Sequence, residues 1–343
     1  MKTERLAADE RGIARAGKIL RAGGLVGIPT ETVYGLAADA LNGTAVSHIF
    51  AAKGRPMDNP LIVHISDIQQ IHALVRAFPA RAQALAEAYW PGPLTMILPK
   101  ADCIPDETSA GLDTVGIRFP SHPVAHAIID AAGCPLAAPS GNLSGKPSPT
   151  CAAHMLADMD GRIDAVVDGG DCGVGVESTV ITLAEERPRL LRPGGITLAQ
   201  LRAVLGEVDV DPAVTHKLQA GQVVRSPGMK YKHYAPNADV SLVRGSREAY
   251  ASFVNRHAAD GVFAMCFNED APLLRVPLLC YGAEHDAGAQ ARELFDCLRR
   301  LDELGAARVY AHCPSQEGVG LAVYNRMIRA AGFSIIDCEG ERT

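Results

Sequence analysis

LIVHISDIQQIHALVRAFPARAQALAEAYWPGPLTMIL, residues 61–98, decides the fold class. It opens on a short apolar strand, 61–65, and passes through two helical stretches that run to Trp90. Pro91, Gly92 and Pro93 break the chain, and a second apolar strand follows at 94–98. Outward from this stretch the alternation repeats. Residues 8–22 predict a helix, with Ile13, Ala16, Ile19 and Leu20 at three-to-four spacing and Gly23–Gly24 as its stop. LVGIP (25–29) reads as a strand and 44–53 as a helix ending at Gly54, while 115–119, 165–169, 178–183 and 189–193 read as strands. The expectation is an α/β domain over 1–205 built on one large twisted mixed sheet.

Residues 206–237 differ. They hold Pro212, Pro227, Gly228, Pro236 and the basic aromatic run MKYKHYAP (229–236), with weak periodicity, which marks a linker or a functional segment. From 238 the alternation resumes: DVSLV, a helix over 246–259, VFAMCF, an amphipathic helix over 286–304, RVYAHC and a helix ending at Gly332. Residues 238–343 are therefore expected to form a small parallel sheet in a Rossmann-like domain.

Hydrophobic residues make up 48% and charged residues 21%, which excludes a largely disordered chain. No apolar run approaches the ~18 residues of a membrane span. The N-terminal MKTERLAADERG lacks the apolar core of a signal peptide, so a cytoplasmic protein without membrane contact is expected. Lys plus Arg number 33 against 39 Asp plus Glu, a net charge of −6 that argues against a general nucleic-acid binder but leaves room for a local basic cleft. The nine cysteines contain no CxxC pair, which argues against structural zinc and favours free thiols in a reducing compartment.

The standard nucleotide motifs fail. Gly141-Asn-Leu-Ser-Gly145-Lys146-Pro147 has three residues between its glycines where a P-loop has four, and proline removes a donor after the lysine. Gly173-Val-Gly175 lacks a third glycine and precedes a strand. His122 and His126 lack the glutamate of a zinc-protease helix, and His122-Pro123 reads as a helix start.

Four polar loops beside strands carry more. Pro29-Thr30-Glu31-Thr32-Val33-Tyr34-Gly35 offers hydroxyls and a carboxylate to a small polar substrate, or is an ordinary strand-to-helix turn. Lys53-Gly54-Arg55-Pro56 offers a point charge and a planar fork to a polyphosphate, or is a solvated pair. The segment 138–150 offers hydroxyls, an amide and approachable glycine backbone. The fourth joins Glu177-Ser178-Thr179 to Arg192-Pro193-Gly194.

In this order PTETVYGL (29–36), KGRP (53–56) with NPL (59–61), VGIRFP (115–120), PSGNLSGKPSPT (139–150), EST (177–179) and RPG (192–194) resemble the YrdC-like family, in its long two-domain threonylcarbamoyl-AMP synthase form. The Lys-x-Arg and Ser-x-Asn signature falls on Lys53/Arg55 and Ser140/Asn142; Gly141 stands where alanine is common in relatives. SPGMKYKHYAP (226–236) resembles the segment that follows the catalytic domain, while 238–343 match by position and α/β pattern only.

The resemblance implies condensation of L-threonine, bicarbonate and ATP to threonylcarbamoyl-AMP and diphosphate. Hand-off follows to the tRNA threonylcarbamoyl-transferase machinery, which modifies adenine 37 of tRNAs reading ANN codons. It implies ATP contacts from Lys53, Arg55, Asn59, Thr114, Ser140, Asn142, Ser148, Arg192 and, on the linker, Tyr234, with Mg²⁺ on the phosphates and no protein metal site. It places Thr32, His64, Arg118, Ala138 and Ser178 around threonine, Arg118 as the carboxylate's fork, and makes Lys53 and Arg55 the catalytic pair. Two alternatives stand beside it. One is a carbamoyl-transferring hydrogenase maturation factor, disfavoured by chain length and the lack of paired cysteines; the other is an RNA-binding module using Lys53, Arg55, Lys230 and Lys232.

Overall fold

The computed structural model describes residues 2–217 and 233–339; Lys230, Lys232 and most of the basic run lie outside them. One compact unit holds the chain to Ser144 and Ser148–Val214, and a second holds Gly145–Pro147, Thr215–Lys217 and the described chain from 233.

The first unit's strands are β1 (Glu4–Ala7), β2 (Val26–Ile28), β3 (Gly35–Asp39), β4 (Ile62–His64), β5 (Leu94–Pro99), β6 (Thr114–Arg118), β7 (Leu136–Ala137), β8 (Ala165–Asp168), β9 (Thr179–Thr182), β10 (Arg189–Arg192) and β11 (Asp209–Val210). They form a single mixed sheet in the order β1-β8-β2-β3-β7-β4-β6-β5-β9-β10-β11, the large mixed sheet expected. Its helices are α1 (Glu10–Arg21), α2 (Gly43–Lys53), α3 (Ile71–Leu74), α4 (Ala80–Tyr89), α5 (Asp106–Ser109), α6 (Pro123–Ala132), α7 (Ala152–Met159) and α8 (Leu198–Leu205). Side chains alternate across the strands. Val26, Ile28, Ala37, Ala165 and Val167 face α1 and α6, while Leu36, Ala38 and Val166 face the cluster built with α2, α4 and α7. His122 begins α6 as read from the sequence: its Nδ1 accepts from Val124 N at 3.2 Å and Pro123 opens the helix.

The second unit carries β12 (Asp239–Arg244), β13 (Val262–Cys266), β14 (Leu278–Cys280), β15 (Arg308–His312) and β16 (Ile335–Asp337), with α9 (Arg247–Arg256), α10 (Ala287–Glu303) and α11 (Gly320–Ala330). All its strand pairs are parallel. The order β14-β13-β15-β12-β16 places β15 between the first two strands of the unit, whereas the doubly wound order keeps those two adjacent. The segment after 205 is less bare than its composition suggests. β11 adds a strand beside β10, and Pro212–Val214 form a short 3-10 turn.

Candidate active site

α2 delivers the basic pair. Asn42 caps its start, accepting from Ala45 N at 3.1 Å, and Gly54 ends it in the left-handed region at φ +61°. That turn sends Arg55 N back to Phe50 O at 3.0 Å. Lys53 is thereby the last helical residue, 3% exposed, and its Nζ donates to the carbonyls of Ser140 and Asn142, the latter at 2.6 Å. Arg55 lies over the Phe50 ring, 5.8 Å from its centroid. Asn59 is fully buried, and neither its Oδ1 nor its Nδ2 has a hydrogen-bond partner among the described residues.

Strand register gathers the polar residues of the apolar strands. β4 and β6 run parallel with His64 opposite Arg118, and β5 sets Thr95 opposite Arg118 from the other side. Thr95 Oγ1 and Ser178 Oγ are 2.8 Å apart. Arg192, from β10, donates Nη2 to Ser178 Oγ at 3.1 Å and Nε to Ser178 O at 3.0 Å. The Pro-Gly after Arg192 has a steric reason: a Cβ on Gly194 would meet Thr179 N at 2.3 Å and Glu177 O at 2.7 Å.

Two loops close over this row. Thr30 and Thr32 pair through their hydroxyls at 2.9 Å, and Glu31 reaches Arg118, Oε2 to Nη2 2.8 Å. Ser140 bridges to Gly35, Leu36 N donates to Pro139 O, and Ala138 N donates to Ile62 O, which binds 138–142 to the 29–36 loop and to β4. Ser148 Oγ donates to Glu177 Oε1. Gly141 packs on Met155, where a Cβ would lie 2.0 Å from Sδ.

Burial tunes the titrating groups. It lowers Lys53 to about 7, helped by the neighbouring Arg55 charge, while Asp158 and Glu177 act in the opposite direction. It lowers His64 to about 3, with Arg118 adding to the effect, so the ring is neutral and its Nδ1–H donates to Ile62 O at 3.2 Å. Among the described residues no group of three His, Cys, Asp or Glu side chains could hold a metal ion.

The fold thus brings together Thr32, Lys53, Arg55, Asn59, His64, Arg118, Ala138, Ser140, Asn142, Ser148, Ser178 and Arg192. Thr114 opens β6, four residues before Arg118, and lines a groove with Pro60 and Thr95. Tyr234 belongs to the second unit, buried at φ +65° with its ring 5.3 Å from that of Phe295. Thr95 and Glu177 join this row without being among the site residues the sequence points to. The signal for Thr95 was a lone hydroxyl inside LTMIL; for Glu177, a carboxylate beside Ser178.

Residues 18–194 match a family model described as "Telomere recombination", and residues 196–332 match one described as "Threonylcarbamoyl-AMP synthase, C-terminal domain". The chain is 45% identical over 338 residues to the threonylcarbamoyl-AMP synthase of Bacillus subtilis, covering 97% of each chain. It is 43% identical to that of Pyrococcus abyssi, over 96% of each. The crystal structure of P. abyssi Sua5 complexed with L-threonine superposes with a TM-score of 0.92 at 41% identity, covering 98% of this chain and 99% of that one. With a mixed sheet that gathers the Lys-x-Arg and Ser-x-Asn pairs, and similarity running nearly end to end, the chain belongs to the threonylcarbamoyl-AMP synthase family.

Proposed function

We propose that this chain condenses L-threonine, bicarbonate and ATP to L-threonylcarbamoyladenylate and diphosphate. That is the first step of threonylcarbamoyladenosine formation at position 37 of tRNAs reading ANN codons. The observation that carries the reading is the joining of two chemistries on one sheet: a buried Arg118 beside neutral His64, and a buried Lys53 bonded to the Ser140–Asn142 loop. Arg118 suits a carboxylate as a bidentate fork, and Thr32, His64, Ala138 and Ser178 shape the rest of the threonine pocket. Lys53, Arg55, Asn59, Thr114, Ser140, Asn142, Ser148 and Arg192 serve ATP.

No covalent enzyme nucleophile is required. Threonine's amine and bicarbonate give a carbamate, whose carboxylate attacks the α-phosphorus while diphosphate leaves. The protein aligns the reactants, neutralises phosphate charge and excludes water. Mg²⁺ suits this chemistry as an ion carried by the phosphates, since such ions take few protein ligands. It would shield the charge of the leaving diphosphate. The resemblance assigns Tyr234 and the 206–237 segment to the nucleotide as a lid, and residues 218–232 of that segment lie outside the described ones. The catalytic domain is 1–205, and 238–343 form a separate one. No helix among the described residues is long and apolar enough to cross a membrane. We place the enzyme in the cytoplasm, where the adenylate passes to the tRNA-modifying machinery. Incubation with the three substrates and mass analysis of the nucleotide pool tests the reading: the threonylcarbamoyladenylate mass is expected, and an unchanged pool contradicts it.

A further inference from the structure

We propose that Glu31 recognises the amine of L-threonine and takes the proton that this amine must lose. The proposal rests on the reaction given above. Glu31 and Arg118 form a buried ion pair, their side chains 12% and 5% exposed, with Nη2 2.8 Å from Oε2. Yet Glu31 Oε1 and Oε2 and Arg118 Nε and Nη2 are all buried without a hydrogen-bond partner among the described residues. A desolvated pair held by charge alone is unfavourable, because each unmade hydrogen bond leaves the desolvation cost uncompensated.

What would complete both partners is an α-amino acid. Its carboxylate accepts from the guanidinium N–H groups, and its ammonium donates to the carboxylate oxygens. A dicarboxylate would repel Glu31, and a hydroxy acid would leave Glu31 without a cationic donor. Register adds the side-chain end of the pocket, since His64 and Thr95, with Ser178 on it, stand opposite Arg118 on the two neighbouring strands.

The same contact has a chemical consequence. An ammonium has no lone pair with which to attack. Transfer of one proton from nitrogen to the Glu31 carboxylate gives the free amine and the neutral acid. The nitrogen lone pair then forms the N–C bond to bicarbonate, and the C–OH bond breaks. Hydroxide leaves as water with a second proton from nitrogen, so the carbamate keeps the single negative charge that bicarbonate brought. Glu31 returns its proton to solvent after the adenylate leaves.

The test compares binding of L-threonine with that of its 2,3-dihydroxybutyrate analogue, in which a hydroxyl replaces the amine, by calorimetry on the full-length chain and on Glu31→Gln. Loss of a desolvated charged partner predicts a threonine affinity lower by roughly 30-fold to several thousand-fold in Glu31→Gln. The hydroxy acid and ATP should bind that variant within threefold of wild type. Equal loss for both ligands overturns the proposal, because Glu31 then only holds Arg118. A wild type that binds the two ligands alike overturns it without any variant. Failure of the underlying reaction is read separately, as no adenylate mass from wild type, and it removes the proton-transfer step with it.

Discussion

Lys53 Nζ donates to the Asn142 carbonyl at 2.6 Å and to the Ser140 carbonyl, so the end of α2 is fastened to the backbone of the loop that carries the serine and asparagine of the site. Lys53 therefore fixes the position of Ser140 and Asn142, and in the proposed function the same amine would also bring its charge to phosphate. Lys53→Ala is predicted to lose roughly 2–5 kcal/mol of transition-state stabilisation, about 30- to several-thousand-fold in rate, with the fold retained. Arg55→Ala should fall in the same range. Steady-state kinetics on both variants decide it, and activity within threefold of wild type would take either residue out of the mechanism.

The depressed Lys53 pKa has a signed consequence for stability. Its folded value of about 7 lies below the ordinary 10.5. Between these values the unfolded chain holds a proton that the folded chain has released. Stability from this site therefore rises from pH 7 to pH 10.5, by at most about 1.4 kcal/mol per unit, and the penalty is complete below pH 7. Denaturant melts of wild type and Lys53→Met across that range should differ in slope, with the variant flatter. An ATP contact at Lys53, as proposed, would favour the charged amine, so ATP binding at pH 8 should take up a proton that Lys53→Met does not take up, read by calorimetry in buffers of different ionisation enthalpy.

Gly141 and Met155 form a packing pair. A Cβ at 141 would sit 2.0 Å from the Met155 sulfur and 2.6 Å from its terminal methyl, and Met155 is fully buried. Gly141→Ala alone should cost about 1–3 kcal/mol of stability by overpacking. Shortening the neighbour in Gly141→Ala/Met155→Val should recover most of it, and simple additivity in thermal melts would disprove the coupling.

The pocket should discriminate by chemistry rather than by size. Serine lacks only the methyl and should lose roughly 10- to 200-fold in kcat/KM. Valine lacks the hydroxyl that His64 and Ser178 would meet in the proposed pocket, and should be rejected by ~10⁴ or more. Comparable turnover of valine and threonine would contradict the assignment of those residues.

Much of this was legible in the chain. The apolar runs at 61–65, 94–98 and 115–119 became the central strands β4, β5 and β6, because buried strands must be apolar on both faces. β1 was missed because an edge strand reading Glu-Arg-Leu-Ala has a charged start, and β3 because it begins inside the polar PTETVYGL motif. Lys53, Arg55, Ser140 and Asn142 are legible through the family signature they match, since their spacing alone leaves a solvated pair and a turn as equal readings. Their meeting depends on backbone carbonyls, which no side-chain pattern encodes. The Glu31–Arg118 pair joins the turn after β2 to the end of β6, and the Thr95–Ser178 pair follows from β5 lying beside β9; both join residues distant in sequence, which no local pattern reveals.

The most direct measurement is diphosphate release from ATP by the purified chain, with L-threonine and bicarbonate each supplied or withheld and the adenylate followed by mass. The account predicts release only when both are present, matched mole for mole by threonylcarbamoyladenylate. Release that proceeds equally without threonine, or a folded, ATP-binding protein that releases none with both substrates supplied, would contradict it.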